Sequence, residues 1–121
     1  MNNKFNSDET LYRAVIPSGI FWKSDGSLSS AALKDNKGLS VDRGDYRNDY
    51  DVAKEMKNRL NGIVVKFLVE DCTNIEARVI YEPNKDDAYH SLVLGKEKLS
   101  LSKSQARQLS RKCKIVYDGG Y

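Results

Sequence analysis

The chain is poor in the residues that usually announce chemistry. It has two cysteines and one histidine in 121 residues. Cys72 and Cys113 are far apart and lack the CxxC spacing of a metal or redox site, so reduced thiols are expected. With a single histidine and no carboxylates at calcium-loop spacing, no metal is expected. No GxxxxGK[ST], GxGxxG or GxSxG motif occurs, and no cofactor is expected. No stretch approaches the roughly 18 apolar residues a bilayer span requires. The polar start Met1-Asn2-Asn3-Lys4 carries no apolar leader. These absences together lead to the expectation of a cytoplasmic protein with no membrane partner.

What is present is an ordinary globular balance, 40% hydrophobic and 31% charged. Seven of the eleven aromatic residues are tyrosine. The length suits one domain, read as residues 10–117 between a flexible segment 1–9 and a tail 118–121. Net charge is only +3, but it is segregated. Between Gly95 and Lys114 stand seven lysines and arginines against Glu97 alone. Such a run makes a local field that attracts phosphates or an acidic partner; the plainer alternative is a solvated helix face.

Periodicity predicts strands at 10–16, 20–23, 39–41, 62–69, 75–81, 89–94 and 115–117. It predicts a helix over 51–60, with Val52, Met56 and Leu60 on one buried face. Ser102 to Gln105 fits a capping box opening a helix to about 112. Ala106, Leu109 and Cys113 face inward in it, and Lys103, Arg107 and Arg111 form a basic stripe outward. Residues 62–69 and 75–81 are expected to pair as a hairpin. The fold class is α+β, a mostly antiparallel sheet with one or two covering helices.

Strand alternation places His90, Leu92 and Leu94 on one face, with Tyr89, Ser91 and Val93 on the other. His90 is the candidate catalytic residue, a general acid or base, against the alternative of a hydrogen-bonded structural histidine. Ser29, Ser30 and Ser91 are the serines a nucleophilic reading would draw on, though nothing local marks any of them as activated. The densest polar cluster runs from Ser29 to Arg43. There Ser29, Ser30, Lys34, Asp42 and Arg43 are candidate ligand-binding residues, the cations for phosphate or carboxylate and Asp42 to orient Arg43 or accept from a ribose hydroxyl. Ordinary turn chemistry is the alternative. Lys103, Arg107 and Arg111 are the candidate nucleic-acid contacts.

The stretches Ser29-Ser30-Ala31-Ala32-Leu33-Lys34-Asp35, Leu39-Ser40-Val41-Asp42 and Tyr89-His90 resemble an SSAAxKD…LSVD…YH pattern of small bacterial and phage proteins, from about Leu11 to Val116. The resemblance implies that Ser29, Ser30, Lys34, Asp42, Arg43 and His90 form one site, and names no reaction. Leu11-Tyr12-Arg13 is similar, more distantly, to the arginine-bearing first strand of NAD-consuming ADP-ribosyltransferase folds, but no glutamate stands in a catalytic motif. Three readings result. The first is a small binding module for a phosphate-bearing ligand, nucleotide or RNA. The second is a protein-interaction, accessory or immunity protein of a bacterial or phage defence locus, with Tyr46 and Tyr50 as anchors and edge strands able to form a homodimer. The third is a His90-dependent enzyme acting on a nucleotide or RNA.

Overall fold

The computed structural model describes residues 1–117; the tail 118–121 lies outside the described residues. Six strands form one antiparallel sheet: β1 (Thr10–Val15), β2 (Leu39–Arg43), β3 (Ile63–Leu68), β4 (Arg78–Tyr81), β5 (His90–Leu94) and β6 (Lys114–Tyr117). Their order across the sheet is β4-β5-β2-β1-β3-β6. The described residues also form α1 (Asp49–Arg59), α2 (Val69–Thr73), α3 (Lys103–Ser110) and a 3-10 turn at Ser30–Leu33. The class is α+β.

Alternation along the strands divides the core in two. On one face Leu11, Val15, Leu39, Val41, Val65, Phe67 and Val93 pack against Ala106 and Leu109 of α3 and Ala32 and Leu33 of the 3-10 turn. On the other, Tyr12 and Val64 pack against Val52, Ala53 and Met56 of α1. Asn48 caps α1 by accepting from the Asp51 amide, and Asp49 and Asp51 sit in its first turn where the helix dipole favours them. The Ser102–Gln105 capping box forms at the start of α3. Gly62 takes φ +139°, and a Cβ there would stand 2.8 Å from the Val15 carbonyl, so the α1–β3 turn approaches β1 only because this residue is glycine.

Four expectations are corrected. The hairpin between 62–69 and 75–81 does not form: β3 pairs with β1 and β6, whereas β4 pairs with β5 at the opposite edge. The residues between them fold as α2, which buries Val69 and Cys72 in the larger cluster and carries the chain away from β3. Residues 20–23 make no strand, only an isolated Trp22–Leu28 bridge. Leu60, expected in the core, is the C-cap of α1 and 44% exposed. Residues 1–9 are not a loose segment. Glu9 is buried and ion-paired to Arg43 at 2.7 Å, and the Asn2 and Lys4 carbonyls accept from the same guanidinium.

Candidate functional site

β2 and β5 set Asp42 directly opposite His90, so both side chains emerge on the α1 face. α1 covers β1 and β3 but stops short of this pair, leaving a cleft of about 420 Å³. Met56, Arg59 and Leu60 wall it on one side and Asn84, Asp86 and Asp87 on the other, with Ser40, Asp42 and His90 between. The 82–90 segment is shaped by Asn84, whose side-chain oxygen accepts from the Asp86 and Asp87 amides at 2.9 and 2.8 Å. Asp87 in turn accepts from the Tyr89 amide at 3.0 Å.

Arg59 reaches from the end of α1 into this group. Its guanidinium lies 2.5 Å from Asp42, 3.5 Å from Asp87 and 4.0 Å from Glu55. The three carboxylates converge to within 4.8 Å, and the cation among them is the protein's own. Burial, with the hydrogen bond and charge of Asp87 added, pushes Asp42 up to about 7 against the opposing pull of Arg59. Burial raises Asp87 too, but the bond from Asp42, the Tyr89 amide, Arg59 and His90 outweigh it and hold that carboxyl below its ordinary range. The two environments push the neighbouring carboxyls in opposite directions, Asp42 up and Asp87 down. His90 Nδ1 lies 2.9 Å from the Glu82 carbonyl, which only accepts, so Nδ1 carries the hydrogen. Nε2 is left facing the Ser40 hydroxyl at 3.3 Å.

The other residues singled out from sequence go elsewhere. Ser29 caps the 3-10 turn, accepting from the Ala31 amide at 3.2 Å, and Ser30 is its first residue. Lys34 is exposed at its C-terminal end. Arg43 points to the opposite sheet face from Asp42. It is 3% exposed and lies over Phe5 at 4.1 Å and Tyr81 at 4.9 Å. Four hydrogen bonds to Glu9, Asn2 and Lys4 occupy four of its five donors, and with its burial they turn it away from the cleft. Arg13 holds the serine-rich and Leu39–Asp42 stretches together in space: it donates to the Ala32 carbonyl at 3.1 Å and the Ser40 carbonyl at 2.8 Å. Of the five candidate ligand-binding residues only Asp42 meets His90, and Ser40 from the same stretch joins them. Arg59 and Asp87 escaped the sequence reading. The Asn84-to-Asp87 spacing of an Asx turn was the available signal for Asp87, and nothing local marks Arg59.

Lys103, Arg107 and Arg111 are exposed, as the stripe requires. Among the described residues no carboxylate lies within 4.0 Å of them, whereas Lys96 is paired to Glu76 at 2.7 Å. The stripe leads to a groove of about 540 Å³ where Arg111, Lys112 and Lys114 meet Lys66 of β3. Lys66 and Lys114 stand directly opposite in register, a like-charged pair that costs sheet stability. Asp49 offsets part of that cost, 2.5 Å from Lys66. Asp71, the acidic residue lining the groove, already accepts from the Leu68 amide at 2.9 Å. A third cleft, about 640 Å³ beside the start of α3, holds Lys96 and Lys98 against Glu76 and Glu97 and is balanced in charge.

No protein-family model, curated protein or solved structure matches this chain. Among the described residues no helix is long and apolar enough to cross a membrane.

Proposed function

We propose that the protein is a small binding module for a phosphate-bearing ligand, RNA or a nucleotide, held on the basic surface of α3 and the adjoining groove. The observation that carries this reading is the convergence of Lys66, Arg111, Lys112 and Lys114 on one groove, two of them opposed across strands. A sheet that sets like charges face to face gains when an anion lies between them. Lys103, Arg107 and Arg111 continue the positive track along about 12 Å of helix. Lys34 ends the 3-10 turn that packs on α3 and adds to the same side. The groove's aromatic residue, Phe67, is buried, so the contacts are to phosphate and not to stacked bases. His90 stands in the same cross-strand row as Lys66 and Lys114 but with β1 and β2 between them, so distance across the sheet separates it from the groove. Free Cys72 and Cys113 support a cytoplasmic setting.

The test is binding of a fluorescent single-stranded RNA at graded salt. Neutralising about four phosphates gives a slope near −3 in log affinity against log salt, about 50-fold weaker binding on a fourfold rise in salt. Arg107→Glu with Arg111→Glu should abolish binding. Lys112→Ala should lower the slope by about 0.7. Absent or salt-independent binding overturns the reading, and capture of an acidic protein instead of RNA by the same surface would move it to the interaction class.

A further inference from the structure

We propose that two copies of the chain pair through β4, antiparallel and centred on Ile80, into one continuous sheet. β4 is an edge of the sheet, and its ladder with β5 fixes which backbone groups face outward. The Glu82 amide donates to the His90 carbonyl at 2.9 Å, so Arg78, Ile80 and Glu82 direct their amides and carbonyls to β5. Val79 and Tyr81 direct theirs the other way, where no partner meets them among the described residues. Such an edge is a template for another strand.

The sequence of β4 is self-complementary in one register. About Ile80, Val79 of each copy stands opposite Tyr81 of the other, and these outward-facing residues exchange both of their backbone hydrogen bonds. Ile80 then meets its own copy, and Arg78 meets Glu82 on either side of it. Ile80 is 40% exposed, an apolar side chain on an edge where charge or proline usually blocks pairing. Arg78 gives Nε and one terminal nitrogen to the Gly95 and Lys98 carbonyls, which leaves the other terminal nitrogen for the facing carboxylate. The Glu82 side chain is 56% exposed and its carboxylate accepts no hydrogen bond among the described residues. Neighbouring registers are poorer. One sets Val79 against Pro83, which has no amide hydrogen, and Ile80 against Glu82. The other sets Tyr81 against Ala77, whose amide already donates to the Cys72 carbonyl, and Ile80 against Arg78. The opposite edge, β6, begins at Lys114 directly after Arg111 and Lys112, so two copies there would bring like charges together. Pairing at β4 is independent of the basic groove and leaves it open at both outer ends of the joined sheet.

Sedimentation equilibrium tests the pairing. The wild-type mass should rise from 13.7 kDa toward twice that value as the concentration approaches about 1 mM. Ile80→Lys and Ile80→Glu should each remain at the mass of one chain, because a like charge faces itself. Their equimolar mixture should associate again, the two substituted residues meeting as an opposite pair. Hydrogen exchange of the wild-type protein supplies a reading that needs no variant. The Val79 and Tyr81 amides should gain several-fold protection with concentration, while those of Ile80 and Glu82 are protected throughout. A wild-type mass of one chain at every concentration would overturn the proposal. So would association that both Ile80 variants retain, a mixture that stays dissociated, or exchange at Val79 and Tyr81 that ignores concentration.

Discussion

Replacing Glu9 by alanine isolates the contact that docks the N-terminal segment. The Glu9 carboxylate accepts from Arg43 Nε at 2.8 Å, from a second Arg43 nitrogen at 2.7 Å and from the Asp45 amide at 3.0 Å. Both side chains of the pair are almost fully buried. Removal leaves a guanidinium enclosed by Phe5 and Tyr81 that has lost its bonded counter-charge and keeps only the weaker attraction of Asp45, which costs about 3–5 kcal/mol. It also frees Asp45 and Tyr46, held at φ 50° and 60°, to leave a left-handed turn that neither side chain favours. Against a total stability of about 6–18 kcal/mol for a chain of this length, the loss is large. Urea unfolding should show it as a lower midpoint with little change in slope, and heating as a melting point lower by about 12–20 °C. Adding Arg43→Met to the alanine variant should recover part of it, because the unpaired charge goes too, though the Asn2 and Lys4 carbonyls remain unbonded. A loss below about 1 kcal/mol would refute the reasoning and show Arg43 to be solvated in the variant.

Equilibrium stability should fall as pH rises from the ordinary carboxylate range to about 7, because folded Asp42 keeps a proton that the unfolded chain has released; Asp42→Asn should flatten that slope in urea titrations at stepped pH. Asp87 acts below this window, its depressed value lending stability that is lost only as pH falls through it. Burial pushes both thiols up to about 12, so Cys72 and Cys113 should resist iodoacetamide in the folded protein and react once it is unfolded in urea. Ser102→Ala should cost about 1 kcal/mol through the lost bond to the Gln105 amide, read by the same urea midpoints.

What the sequence disclosed is what short-range physics controls. The capping box at Ser102, the inward Ala106 and Leu109 and the outward stripe all follow from positions three or four apart on one helix, and all are present. Likewise the opposed faces of β5 follow from alternation, which holds at Ser91 and Val93. Strand partnership was not legible, because it depends on contacts distant in sequence. Residues 62–69 and 75–81 have the local character of a hairpin, but Val69 and Cys72 gain more by burying from a helix than from a turn. The candidate site suffered from the same gap. Asp42 and Arg43 are adjacent in sequence and point to opposite faces, so a cluster counted along the chain was divided by the sheet. Arg59, Asp87 and His90 meet Asp42 only through the order of strands and the length of α1.

The most direct test of the central claim is an NMR titration of the folded protein with single-stranded RNA at low salt. The account predicts that amide shifts first move over Lys103 to Lys114 and the end of β3 at Lys66 to Leu68, and that they revert as salt is raised. Shifts that begin instead at Asp42, Asp87 and His90, or none at all, would contradict it.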